Sequence, residues 1–500
     1  MAETVESTTR VAEVPVVGHR RRWAPPRPLA ALLAACALLG VAWALLLPAW
    51  QAPDENSHYG YVQSLVDGPG LPGEPDHLMF STEQLFSADA ANANQTAAAP
   101  STKPEWDPRA YDAWRAEWAK RPDAQRSDGG GPNPARSNPP LAYLVYAAPY
   151  AAFSGADPFD RLVAMRLVGV LWLLVAVLAT WALAGEVFGR RPVLQLGAAA
   201  VPALAPMPMF VSASVTPDAM LFAAWSVAFW LGARVLVRGL TVSRGVAFMV
   251  AVGLACWIKA TSYGLIPGAL VAFGWALWRA RRAAPVRLAV PGLAALAVSV
   301  GGWVVLARAL ARPASEQLTS VATASGLDPR ELASYLWQFY LPRLWFMQDF
   351  FAKVPVTLPV YDTMLQGAWG RFGWLEIAFP EPVYWALTAV TIATVVLAGS
   401  ALWRLRRGLD RAVLAFLAVV ALTLLAGLHW QEYRLVLSGA GLFMQGRYLL
   451  PLVAIAGVVV AAALCVVPAR RRATAVAVVL SGLFALQIFS LALIVERFYA

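Results

Sequence analysis

Long apolar runs separated by short polar breaks recur along this chain from residue 28 almost to its C-terminus. They lie near 28–49, 162–186, 193–212, 219–237, 288–310, 383–403, 411–429, 448–467 and 473–495. Each approaches the roughly 20 residues that a helix needs to cross the hydrocarbon core of a bilayer. The stretch 245–278 is too long for one crossing and predicts two short spans broken at Thr261-Ser262-Tyr263-Gly264. The pattern predicts an all-α integral membrane protein of about 11 (10–12) transmembrane helices. A shorter apolar segment, 141–153, holds Pro149 and is expected to be re-entrant or interfacial; as a full crossing it would make the count about twelve.

Composition agrees. Apolar residues are 59% of the chain and charged residues 14%, against about 25% charged in a soluble domain. Basic clusters at Arg20-Arg21-Arg22, Arg190-Arg191, Arg234/Arg238/Arg244, Arg279/Arg281/Arg282/Arg287, Arg404/Arg406/Arg407 and Arg470-Arg471-Arg472 alternate with the spans. Cytoplasmic loops collect Lys and Arg. This alternation puts the N-terminus inside and the C-terminus outside. Residues 1–25 are then a disordered cytoplasmic tail and 26–500 a single polytopic membrane domain. Its larger outer loops are 50–140 and 311–382, and disorder is also expected within 122–138.

The net charge of +10 is read as this topology signal. No basic stripe with interleaved aromatics lies outside the apolar runs, so a nucleic-acid partner is not expected. Cys36, Cys256 and Cys465 all sit inside apolar runs and cannot staple the outer loops. The first run is long for a signal peptide and is read as a retained helix. No internal repeat, phosphate-binding glycine loop or zinc-like His/Cys spacing is present.

The chemistry-bearing residues gather at the outer ends of the spans. Pro53-Asp54-Glu55-Asn56-Ser57-His58 directly follows the first span. With Pro53 opening a helix, Asp54 and His58 share a face. A partly desolvated carboxylate there would be raised in pKa and suited to take a hydroxyl proton. Acids in a first helical turn are equally explained by the helix dipole. Asn138-Pro139-Pro140-Leu141 reads as a helix start. Val215-Thr216-Pro217-Asp218 opens another span, where capping and dipole account for Asp218. Lys259 lies in an apolar run with no acid nearby in sequence, either snorkelling to the interface or reaching an anion. Gln445-Gly446-Arg447-Tyr448 offers a close backbone approach and a guanidinium fork suited to phosphate, or an ordinary Arg–Tyr interfacial anchor. Glu432 and Arg434 could pair with each other, and Gly370-Arg371-Phe372-Gly373-Trp374 reads as a turn on the membrane surface.

In this order, Pro53-Asp54-Glu55 with His58, Asn138-Pro139-Pro140-Leu141 with Tyr143, Val215-Thr216-Pro217-Asp218, Lys259, Phe372-Gly373-Trp374 and Gln445-Gly446-Arg447-Tyr448 resemble a bacterial polytopic family, domain of unknown function twenty-one forty-two. That family looks like a branch of the GT-C glycosyltransferases. Such enzymes take a sugar from a polyprenyl-phosphate carrier and place an acidic residue just after the first span. The resemblance implies Asp54 or Glu55 as that acid. It implies a lipid-linked sugar donor as partner, with His58, Asn138, Asp218, Lys259, Gln445 and Arg447 on the substrate side. The paired acids depart from the single or spaced acids of better-known relatives. A divalent metal on Asp54, Glu55 and His58 is compatible with these residue types and not required by them. The function expected is inverting transfer of a sugar to an extracytoplasmic acceptor of the cell envelope. The rival is a transporter or flippase of a lipid-linked or anionic substrate; the missing repeat and the one-sided polar residues speak against it. A non-catalytic assembly protein is a third reading.

Overall fold

The computed structural model describes residues 25–91, 93, 108–120, 124–281, 285–309, 328–352, 358–406, 408–437 and 442–499. Among them nine helices are long and apolar enough to cross a membrane, and the bent pair Pro192–Leu204 and Pro206–Ser212 makes a tenth. The 15-residue helix Val242–Cys256 falls on the eleventh expected segment. The chain is thus a polytopic helical membrane protein. Its only sheet among the described residues is a two-stranded hairpin, Arg371–Phe372 against Ile377–Ala378.

The breaks have local causes. Residues 193–212 bend by 53° because Pro206 has no N–H to continue the ladder and Ala205 is extended. Within 245–278 the chain leaves Val242–Cys256, makes a tight turn at Ala260–Gly264 and resumes at Leu265–Arg279, as the sequence predicts. Backbone freed at such a break must be satisfied inside the protein. Thr423 donates its hydroxyl to the Gly264 carbonyl at 2.6 Å, and the Trp225 indole donates to the Ser262 hydroxyl at 3.1 Å.

The helix Pro158–Val187 organises one end of the bundle. Asp157 caps it, accepting from the Phe159 and Asp160 amides at 3.0 Å each, with Pro158 at its first position. Its 30 residues extend about 45 Å, more than the roughly 30 Å of a hydrocarbon core. Its first turns, with Arg161 and Arg166, therefore reach beyond the apolar layer. The segment 141–153 forms the helix Leu141–Ala152, about 18 Å long at the usual rise and too short to cross.

Residues 1–24 lie outside the described residues, so the expected tail goes untested. The expectation of disorder within 122–138 does not hold over 124–138. There Leu78 and Gly129 form a bridge, Gly131 donates its amide to the Leu78 carbonyl at 2.8 Å, and Asp128 accepts from the Thr82 amide at 2.9 Å. The glycines that suggested disorder permit close packing: a Cβ on Gly131 would lie 2.2 Å from the His77 carbonyl oxygen. Glu83 fastens this outer segment to the bundle, accepting from Arg161 at 2.6 Å, Gln63 at 2.8 Å and Trp118 at 2.9 Å.

One close crossing tests the packing. A Cβ on Gly169 would sit 2.1 Å from the Ser212 carbonyl oxygen, whereas Gly155 meets nothing within 4 Å. Gly169→Ala is expected to destabilise the protein by about 1–3 kcal/mol and Gly155→Ala hardly at all, as read by thermal unfolding in detergent. Equal melting of the two variants would contradict this crossing.

Candidate functional site

The two adjacent acids part company in space. The helix expected at Pro53 begins at Glu55 instead, as Glu55–Val66. Asp54 precedes it in the left-handed conformation, φ 62°, and makes no side-chain cap. That twist turns Asp54 and Glu55 to different surroundings.

Glu55 is fully buried. Its two oxygens take a forked pair of bonds from Arg166, Nε to Oε1 at 2.8 Å and Nη2 to Oε2 at 2.5 Å. The Val215 amide adds a third at 3.0 Å. Arg166 also donates to the carbonyls of Ala44, Leu47 and Pro48 at 3.1, 2.6 and 3.0 Å. One guanidinium thus ties the end of the first span to the start of the next helix. Of the two acids that the sequence offers as the base, Glu55 is thus the one buried in scaffold contacts, with three hydrogen bonds on its two oxygens.

Asp54 is the open member, with its side chain 46% exposed. Arg447 donates Nη2 to Asp54 Oδ2 at 2.7 Å. Burial alone would raise the Asp54 carboxyl, but the charge and hydrogen bond of Arg447, with the charge of Lys259, outweigh it and hold the group below its ordinary value. A raised pKa was expected; the neighbouring cations reverse the sign.

The second ion pair joins residues that sequence spacing leaves unrelated. Lys259 Nζ lies 2.7 Å from Asp218 Oδ1, with Asp218 almost buried. Thr216 accepts the Asp218 amide at 3.3 Å, so the local capping reading stands, yet it explains only the backbone. Asp218 is also the counter-ion of Lys259. Lys259 and the Arg447 guanidinium lie 5.7 and 5.5 Å from the ring centre of the same Tyr448, a favourable placement for cations. His58 feels all four charges of the two pairs. Burial pushes it down to about 4, so its imidazole is neutral near pH 7.

The remaining motifs position this cluster. Asn138 donates to the Tyr143 hydroxyl at 2.9 Å, which meets His58 Nδ1 at 2.8 Å. Tyr61 stacks on Tyr143 with ring centres 3.7 Å apart. The Leu141 amide bonds the Trp257 carbonyl at 3.2 Å, just before Lys259. Phe372 is packed in the core beside Trp43 and Phe210 instead of resting on the membrane surface. Trp374 donates its indole to the Trp50 carbonyl at 3.1 Å. Trp50 has φ 66°, unusual for a bulky residue, and this bond clamps it at the other end of the strap that carries Asp54. Glu432 accepts the Phe443 and Met444 amides at 2.6 and 2.7 Å. It thus orders the approach to Gln445 and Arg447, where pairing with Arg434 was expected. Gly446 serves packing: a Cβ there would lie 2.3 Å from the Ala368 amide nitrogen. The close backbone approach foreseen at this glycine is therefore to the chain's own helix Gln366–Trp369.

Buried side-chain atoms without a hydrogen-bond partner include Gln445 Oε1 and Arg447 Nε. No three of His, Cys, Asp and Glu gather for a metal among the described residues. The set Asp54, Glu55 and His58 is not assembled, because Glu55 faces Arg166 and His58 faces Tyr143.

Arg161 and Arg166 were not singled out in the sequence. The signal was there, two arginines at the head of an apolar run, where an ionisable residue asks for a partner.

A helical membrane bundle with a charged cluster at one end of its helices defines the class. The chain belongs to the family described as a predicted membrane protein (DUF2142), whose pattern matches residues 36–456. No curated protein matches. Similar solved structures are ArnT from Cupriavidus metallidurans in the apo state and bound to undecaprenyl phosphate. The first has 15% identity and a TM-score of 0.42, covering 88% of this chain and 60% of that one. The second has 15% identity and a TM-score of 0.43, covering 89% and 62%. The chain thus spans about three fifths of the length of those proteins.

The two acids are expected to separate on mutation. Glu55→Gln leaves the Arg166 charge buried without its carboxylate and should cost about 3–5 kcal/mol of stability. Asp54→Asn tolerates the left-handed backbone and removes a half-exposed pair worth about 0–1 kcal/mol. Thermal unfolding of the purified variants measures both; comparable losses would contradict the division.

Proposed function

We propose that this protein is a membrane glycosyltransferase that takes a sugar from a polyprenyl-phosphate donor and places it on an acceptor outside the cell. The observation that supports this most is the half-exposed Asp54 carboxylate set beside two cations, Arg447 and Lys259. Transfer with inversion needs a base for the acceptor hydroxyl and positive charge for the departing phosphate. The hydroxyl oxygen attacks the anomeric carbon and its proton passes to Asp54. The bond from that carbon to the phosphate oxygen breaks, and the electron pair leaves with the lipid phosphate. Arg447 and Lys259 stabilise the charge that develops there. Asp54 is a weak base while Arg447 holds it, but it is fully ionised and ready to accept. The buried Gln445 Oε1, without a partner, suits a donor-sugar hydroxyl. His58, neutral and fixed by Tyr143, supports Asp54 from its own helix.

Asp54→Asn is expected to lose about 10²–10⁴ in transfer rate at matched protein levels. Arg447→Lys keeps the charge but not the fork, and should lose about ten- to a hundredfold, the worth of a charged hydrogen bond. Glycan product from cells carrying each variant is the measurement, and full product from Asp54→Asn overturns the reading. Orientation is tested separately. A cysteine at exposed Gly155 should react with an impermeant thiol reagent in intact cells and one at Arg281 should not; labelling at 281 contradicts an outward-facing site.

A further inference from the structure

The same guanidinium serves two anions in this reading. Arg447 is bonded to Asp54 through a single N–H, Nη2 to Oδ2 at 2.7 Å. Its Nε is buried and bonded to nothing, and its side chain is only 10% exposed. A guanidinium is most stable when its fork meets two oxygens in one plane. Asp54 does not supply that geometry, and Glu55 on Arg166 shows what it looks like in this protein. The Asp54 Oδ1 atom accepts no hydrogen bond among the described residues. The pair is therefore half-made on both sides.

We infer that the Asp54–Arg447 pair is a latch that the donor phosphate opens. The phosphate takes the Arg447 fork, including the idle Nε, and Asp54 is released toward the acceptor. The inference rests on the functional reading above and adds an order to it: donor binds before the base is competent. Releasing Asp54 from its cation also raises its basicity at the moment it is needed, because the charge that depressed it now faces phosphate. Lys259 does not share the latch, since its carboxylate is Asp218 at 2.7 Å. Asp54 keeps its place while unlatched because its backbone is held independently, at one end by Glu55 on Arg166 and at the other by Trp374 on Trp50.

A latch competes with the ligand that opens it. Asp54→Asn should therefore bind a polyprenyl phosphate in lipid nanodiscs roughly tenfold more tightly than the wild type, the value of about one charged hydrogen bond, while transferring far less. Removing a negative charge could tighten anion binding through space alone, so the same change is made in an Arg447→Gln background. There the latch has no bolt, and Asp54→Asn should alter Kd by less than about twofold, so the double-mutant cycle returns nearly the whole tenfold effect as coupling between the two residues. No tightening in the first comparison, or equal tightening in both, overturns the latch. Either result leaves Asp54 standing as the base if its transfer is lost. Full transfer by Asp54→Asn instead removes the functional reading, and the two failures are told apart by the assay in which they occur.

Discussion

The outer end of this bundle depends on one buried ion pair, Glu55 on Arg166. Taking both charges out of water costs several kcal/mol each, and such a pair holds only when its remaining hydrogen-bonding groups are satisfied. Here they are. Arg166 spends its fork on Glu55 and its other bonds on the carbonyls at 44, 47 and 48, which end the first span. Glu55 adds the Val215 amide. Three stretches far apart in sequence meet at this point: the exit of the first span running into Glu55, the helix that carries Arg166, and Val215 at the entrance to the span at Asp218.

The pair explains why two neighbouring carboxylates can behave differently. Adjacent acids sharing one environment would repel and couple. A left-handed residue at Asp54 turns the pair apart, so one carboxylate closes the scaffold and the other stays half-exposed beside cations. Strain of this kind, repeated at Trp50, persists because surrounding contacts over-determine it. The motifs around the site do comparable work. Asn138 and Tyr143 fix His58, Trp374 fixes Trp50, and Glu432 fixes the turn into Gln445. Only Asp54, Asp218, Lys259 and Arg447 remain as a mutually interacting set of charges.

Much of this was legible in the sequence. The spans were, including the break at 261–264, because apolar run length is a direct consequence of bilayer thickness. The cluster's members were also legible as polar residues at the ends of spans. Their partners were not. Asp218 and Lys259 are 41 residues apart, Glu55 and Arg166 111, and Asp54 and Arg447 393, and no periodicity reports such pairings. Asp54 and Glu55 therefore stayed equivalent in the sequence, and Asp218, locally explained by capping and the helix dipole, was put on the substrate side by the resemblance alone, without its partner Lys259. The glycines misled for a related reason. Gly129 and Gly131 lie in a stretch that reads as disordered and Gly446 looks like a ligand approach, yet each makes room for the chain's own backbone.

The account is tested most directly by a structure of the protein with a polyprenyl phosphate bound. It expects phosphate oxygens at about 2.7–2.9 Å from the Arg447 guanidinium, near Lys259, with the Asp54 carboxylate no longer on Arg447. It expects the Glu55–Arg166 pair to be unchanged. A phosphate seated away from Arg447 and Lys259, or bound to Arg166 with Glu55 displaced, would contradict it.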